Sequence, residues 1–200
     1  MKKINIIADA SIPLIEKCLE NTCNVIVTNH SNITNSFLIE NKADALAIRS
    51  TVKVNQQLLE NSSIKFVATA TSGYDHFDIE FLKQSSIAYF HSPGCNANSV
   101  AEYVIYSFLK WIITKNIELK NINLGIIGFG NIGKLVARYF HTLNINIYVN
   151  DPPLKDENFI FPDYVHYSEL DEIFEKCNVI TDHVPLTKSG KYPTISLLNK

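Results

Sequence analysis

Residues 124–151 carry the pattern that most narrows what this chain can fold into. An apolar pentad, Leu124-Gly125-Ile126-Ile127-Gly128, is followed by Phe129-Gly130-Asn131-Ile132-Gly133. Residues 124–128 read as a fully buried strand, and Ile132, Leu135, Val136, Tyr139 and Phe140 then recur with the spacing of one helix face. A second apolar segment over 145–149 leads to Asp151, eighteen residues past Gly133. A lone GxGxxG means little, but between a strand and a helix each glycine has a mechanical task. Gly128 permits a tight turn, Gly130 lets the main chain approach a ligand, and Gly133 lets the helix pack on its strand. The first helical amides, around Asn131 and Ile132, sit at the positive end of the helix dipole and suit a diphosphate. A carboxylate at Asp151 accepts hydrogen bonds from two ribose hydroxyls and repels a 2′-phosphate, and no arginine follows it, so the unit reads as a site for NAD rather than NADP. The competing reading is a glycine turn in some other βα unit with a surface aspartate.

Composition excludes several classes. The 200 residues suffice for one large or two small domains, and 18 basic against 20 acidic residues leave a net charge of −2, so no nucleic-acid or membrane surface is indicated. The only arginines are Arg49 and Arg138. Cys18, Cys23, Cys95 and Cys177 form no CxxC pair and no metal-ligand spacing with histidine, which points to a reduced, cytoplasmic protein without a metal centre. The apolar run after Met1-Lys2-Lys3 is broken by Asp9 and is too short for a signal peptide. The most apolar helix, over 100–117, carries Glu102, Lys110 and Lys115 and reads as buried rather than membrane-spanning.

Ahead of the glycines the βα alternation is already present. Strand-like runs at 4–8, 25–28, 45–48, 66–70 and 87–90 alternate with helical candidates near 12–20, 34–41, 55–61 and 78–84, which argues a parallel sheet. Gly73 and Pro93-Gly94 mark turns after the fourth and fifth strands. The fold class expected is therefore α/β, with two doubly wound parallel-sheet domains. The first, over 1–95, is flavodoxin-like; the second, over 96–200, is a Rossmann domain shortened in its carboxyl-terminal half. Past Asp151 the prolines of 152–163 read as a loop, Ser168 as the N-cap of a helix over 168–176, and 178–181 as a further strand. That inventory supplies the first half of a 3-2-1-4-5-6 sheet and one strand of the second half, so the chain reads as a shortened product of a longer protein.

Arg49-Ser50-Thr51-Val52-Lys53-Val54-Asn55, Thr69-Ala70-Thr71-Ser72-Gly73-Tyr74-Asp75-His76-Phe77-Asp78, and Pro93-Gly94-Cys95-Asn96-Ala97 with Val100-Ala101-Glu102-Tyr103 resemble the D-2-hydroxyacid dehydrogenases over essentially the whole chain. Within that family the likeness is to the member that acts on a four-carbon phosphorylated sugar acid, and it is carried also by Asp151-Pro152-Pro153. The resemblance implies NAD-dependent oxidation of a 2-hydroxy acid, a substrate domain followed by an NAD-binding domain, and a homodimer. It implies substrate contacts at Ser50 and Thr71, a turn at Gly73 facing the substrate carboxylate, and NAD contacts at Asp151 and Val184. At Val184 the family pattern has a threonine, so the hydroxyl is lost there. The residues alone support part of this: Arg49, Ser50 and Lys53 follow a strand's carboxyl end, where parallel sheets hold ligands, and offer two cations and a hydroxyl to an anion. Helix capping with solvated charges is the plainer alternative for these three.

Oxidising a 2-hydroxy acid needs a base for the hydroxyl proton, a cation near the carboxylate, and a hydride acceptor held against the substrate carbon. The resemblance places the arginine, glutamate and histidine of that set beyond Lys200, so no catalytic residue is assigned and the chain is expected to be inactive alone. His183, just past a strand of the second domain, is the best candidate for the cleft, and His76 and His91 follow strands of the first; each reads as a packing or hydrogen-bonding residue rather than the base. Arg138 reads as a surface charge and Glu102 as a dipole-favoured carboxylate. A second phosphorylated-acid enzyme, 3-phosphoglycerate dehydrogenase, and a catalytically silent NAD-binding protein are the alternatives.

Overall fold

The structure is a computed structural model that describes residues 3–185, 191, 192 and 194. The chain divides into two compact units, 1–95 and 96–200.

In the first unit five parallel strands, β1 (Ile4–Asp9), β2 (Cys23–Thr28), β3 (Ala45–Ile48), β4 (Phe66–Thr69) and β5 (Ala88–Phe90), lie in the order β2-β1-β3-β4-β5. That is the flavodoxin-like order, with the crossover direction reversing between β1 and β3. Short helices connect the strands: α1 (Ile15–Leu19), α2 (Asn35–Glu40), α3 (Gln56–Leu59) and α4 (Ile79–Gln84). Three of them begin on a side-chain cap from Thr34, Asn55 or Asp78, each accepting from the third amide beyond it. Ile7, Leu38, Leu46, Ile48, Val67 and Leu82 form the fully buried centre. Register aligns Asp9 with Thr28 and Ile48 with Thr69, which places Asp9, Thr28 and Thr69 at the carboxyl ends of their strands. Asp9 and Thr69 are buried there, each 1% exposed.

The second unit opens with α5 (Ala97–Lys115) and continues β6 (Asn123–Ile127), α6 (Asn131–His141), β7 (Asn146–Asn150), α7 (Pro152–Asp156), β8 (His166–Tyr167), α8 (Leu170–Lys176) and β9 (Val179–Asp182). Its parallel strands lie in the order β8-β7-β6-β9, which is the 3-2-1-4 portion of a doubly wound dinucleotide-binding sheet. Phe140 of α6 packs on Phe108 of α5 with ring centroids 4.7 Å apart, above a core of Leu124, Ile126, Val136, Ile147 and Val149. Gly125 permits α8 to lie on β6, since a Cβ there would come within 2.5 Å of Ile173 Cγ2. Among the described residues no helix is long and apolar enough to cross a membrane.

The structure corrects two local expectations. The stretch after Asp151 is not a loop throughout: Pro152 and Pro153 occupy the first turn of α7, where a missing N–H costs nothing, and Asp151 caps it by accepting from Leu154 N at 3.0 Å. Ser168 is not the N-cap of α8. Glu169 takes that position, while Ser168 is buried and its carbonyl accepts from Asn150 Nδ2 at 2.8 Å.

Candidate functional site

The glycine turn stands at the junction of β6 and α6. Gly128 has a φ of +88°, the left-handed region, and a Cβ there would meet Val184 Cγ1 at 2.7 Å and the His183 carbonyl carbon at 3.0 Å. Its amide donates to Asn150 O at 2.8 Å. Gly133 faces the same turn, and a Cβ on it would lie 2.0 Å from Gly128 O, so helix and strand can approach this closely only without a side chain. Among the described residues a Cβ at Gly130 would meet nothing within 4 Å, so none of them closes the turn on that side. The first ladder bond of α6 runs from Lys134 N to Gly130 O at 3.1 Å. The amides of Asn131 and Ile132 ahead of it have no acceptor among the described residues, and no side chain caps the helix. An eleven-residue helix thus presents bare N–H groups and its positive end at an unobstructed glycine.

Asp151 is tied to the same turn. Its Oδ2 accepts from Phe129 N at 2.7 Å and its Oδ1 from Leu154 N at 3.0 Å. A carboxylate offers about four lone-pair sites, so two remain for hydroxyls of a ligand. Sequence reasoning gave Asp151 a ligand-binding role alone; the structure adds a structural one, locking the glycine turn to the start of α7. Val184 packs on Gly128, and its amide donates to Asp182 Oδ1 at 3.1 Å. Gly128, Gly133, Asp151 and Val184 are thereby brought to one turn, with Gly130, Asn131 and Ile132 at its open side. His183 Nε2 lies 2.9 Å from Thr181 Oγ1, and burial pushes its imidazole below the ordinary value, with Asp182 opposing. It is a partly buried hydrogen-bonding residue.

In the first unit, Arg49, Ser50 and Lys53 lie in the turn after β3, all exposed. Among the described residues neither cation forms an ion pair and Ser50 forms no side-chain hydrogen bond. Helix capping does not account for Ser50, because α3 is capped by Asn55. The loop after β4 is stitched to this turn: Val54 N donates to His76 O and Asp78 N to Val54 O, both at 2.8 Å. Thr71 stands in that second loop with its hydroxyl donating to Gly73 O at 2.9 Å and 2.7 Å from Thr69 Oγ1. Thr69 in turn lies 3.1 Å from His76 Nε2. Burial lowers the His76 pKa, and Asp75 opposes that shift. The part played by Thr69 was not foreseen, since a threonine at the end of a strand is usually a packing residue and its partners are seen only in three dimensions. Of the remaining charged residues considered, Glu102 accepts from Asn98 Nδ2 at 2.9 Å, and the Arg138 guanidinium lies 5.8 Å from the Tyr139 ring.

Parallel α/β sheets with polar loops at the carboxyl ends of the strands, and a glycine turn opening a helix, are the architecture of a doubly wound dinucleotide-binding protein. Residues 4–182 match the family described as D-isomer specific 2-hydroxyacid dehydrogenase, catalytic domain, and the chain belongs to that family. It is 38% identical over 194 residues to an erythronate-4-phosphate dehydrogenase of Bacteroides thetaiotaomicron, covering 97% of this chain and 54% of that one. It is 43% identical over 173 residues to an erythronate-4-phosphate dehydrogenase of Wigglesworthia glossinidia brevipalpis, covering 84% and 44%. The chain thus spans about half the length of these curated relatives. Among solved structures, it is similar to a cofactor (NAD+)-bound 3-phosphoglycerate dehydrogenase of Entamoeba histolytica, with a TM-score of 0.72, 29% identity, and 94% of this chain and 64% of that one covered. The fold is shared with a D-lactate dehydrogenase of Aquifex aeolicus complexed with NAD and lactic acid, at a TM-score of 0.72 and 23% identity, covering 92% and 61%.

Proposed function

We propose that this chain carries substrate and cofactor sites of an NAD-dependent dehydrogenase that oxidises 4-phospho-D-erythronate to 2-oxo-3-hydroxy-4-phosphobutanoate, in the biosynthesis of pyridoxal 5′-phosphate. The observation that carries the cofactor part of this reading is the glycine turn, where the amides of Asn131 and Ile132, bare among the described residues, stand beside a carboxylate fixed by Phe129 N. When bound, NAD would supply the acceptor for the hydride leaving C2 of the substrate. Asn131 and Ile132 would hold the diphosphate through main-chain N–H groups, and Asp151 would accept from the adenosine ribose with the lone pairs its two amide bonds leave free. Val184 would bound the site through Gly128 and contribute only main-chain groups. Gly130 admits the diphosphate to the turn.

For the substrate, Arg49 and Lys53 offer positive charge and Ser50 a hydroxyl, none of them partnered among the described residues, which suits a phosphate ester. Thr71 adds a hydroxyl and Gly73 an exposed turn for the carboxylate end. A catalytically silent nucleotide-binding protein has no use for two unpaired cations and a serine on this loop, which favours the enzyme reading. No described residue is assigned as the base. The four free cysteines suit a cytoplasmic setting. Tyr103, Tyr106 and Ile113, exposed at 71%, 63% and 78% on one side of α5, suit the self-association expected of a homodimer.

Calorimetric titration of the chain tests the cofactor part. NAD should bind and NADP should not, and Asp151→Ala should weaken NAD binding by roughly ten-fold or more, the loss of hydrogen bonds to a charged acceptor. Unchanged affinity in that variant would remove Asp151 from the site.

A further inference from the structure

The proposed substrate loop contains a line of hydroxyls whose direction can be worked out. A threonine hydroxyl has one proton to donate and two lone pairs to accept with. Gly73 O can only accept, so the Thr71 proton is committed to it, over 2.9 Å. The 2.7 Å contact between Thr69 and Thr71 must then be a bond in which Thr69 donates. That spends the Thr69 proton in turn, so across the 3.1 Å contact Thr69 Oγ1 accepts and His76 Nε2 donates. The neutral ring is therefore the Nε2–H tautomer. We propose that His76 and Thr69 are positioning residues: through this one-way chain they hold the Thr71 oxygen in place, so that its proton can swing from Gly73 O to an oxyanion of the substrate without the oxygen moving. The proposal rests on the reading of Thr71 as a substrate contact.

Three further features support it. Thr69 is 1% exposed and sits at the last position of β4, so the middle of the chain is fixed by the sheet. The His76 main chain is held by Val54 N, which ties the same line of bonds to the loop carrying Arg49, Ser50 and Lys53. Ser72 of the same turn is held by a second histidine: His91 Nδ1 is 2.9 Å from Ser72 O, and because a carbonyl cannot donate, this ring carries its proton on Nδ1. The two histidines flanking the 71–73 turn are thus opposite tautomers. Burial lowers the His76 pKa, which favours the neutral ring.

Long-range proton–nitrogen correlation spectra of the full 200-residue chain, labelled at histidine and recorded at about pH 8, above the ordinary imidazole range, read both tautomers directly. His76 should carry its proton on Nε2 and His91 on Nδ1. Thr69→Val keeps the shape of the buried side chain and removes the hydroxyl. It should set the Thr71 side chain averaging between rotamers and weaken binding of 4-phospho-D-erythronate by about 3- to 10-fold, one hydrogen bond's net worth. Thr69→Ser should restore both. His76→Ala should behave as Thr69→Val, and His76→Gln, which returns a donor, should rescue it. A His76 proton on Nδ1, or Thr69→Val and His76→Ala variants that bind as tightly as wild type while Thr71→Val does not, would overturn the proposal. If the wild-type chain fails to bind the phosphorylated acid, the substrate reading fails, and the tautomers and the Thr71 rotamer still decide the hydrogen-bond chain.

Discussion

The glycine turn after β6 and the pair of loops after β3 and β4 occupy equivalent places, the carboxyl ends of parallel strands, yet they are built from different materials. The turn after β6 is main chain: two glycines pressed together, bare amides at a helix start, and a carboxylate that bonds to backbone on both of its oxygens. The loops after β3 and β4 are side chains: two cations and a hydroxyl without partners among the described residues, and a hydroxyl held by other side chains. In the second unit the proposed site is the fold itself, so damage to one is damage to the other. In the first unit the proposed site is laid on the fold, so its residues should be alterable without unfolding it.

The largest effect expected from that contrast is at Gly133. Gly133→Val places a side chain where even a Cβ would stand 2.0 Å from Gly128 O. It should destabilise the second unit by about 3 kcal/mol or more, the upper range for forced overpacking, and abolish nucleotide binding. Amide exchange resolves the two units: protection should fall across β6 and β7 and persist across β1 and β3. Retained protection in β6 would mean that the close approach at Gly133 is not required. A smaller and separable effect is expected from Ser50→Ala combined with Arg49→Gln. Both residues are exposed, so stability should stay within about 0.5 kcal/mol, while affinity for the phosphorylated acid falls by about ten-fold or more through lost charge-assisted bonds. Loss of stability without loss of affinity would reverse the assignment.

The smallest effect separates the units by pH. His76 in the first unit and His183 in the second both have pKa values lowered by burial, so the folded chain binds their protons less readily than the unfolded chain does. Their burial is therefore without penalty above about 6.5, the ordinary imidazole value, and each destabilises its unit as pH falls below that. His183→Gln should flatten the loss of stability below about pH 6.5 in the second unit alone, and His76→Gln in the first alone. Identical acid unfolding in the variants and wild type would show that these rings carry no such penalty.

The same contrast explains what could be read in the sequence. Alternating apolar runs and helical spacing define both sheets, and the glycine turn is visible because its geometry demands glycine at Gly128 and Gly133 whatever surrounds them. The residues of the first unit's loops have no such requirement: Arg49, Ser50 and Thr71 stood out through family resemblance more than through spacing. β8 has only two residues, too few to show a period, and depends on β7 for its existence. The Pro152-Pro153 pair misled because proline breaks a helix interior but suits a first turn, and the cap that makes it a first turn is the residue read as a ligand contact. The line from His76 through Thr69 to Thr71 joins residues on a loop and a strand end, and only the fold brings their side chains within bonding distance.

Amide-resolved titration with NAD tests the central claim most directly. Saturable shifts should concentrate at Gly130, Asn131 and Ile132, with Phe129 following through its bond to Asp151. Saturation that leaves the amides of Asn131 and Ile132 unmoved, or no binding at all, would contradict the account.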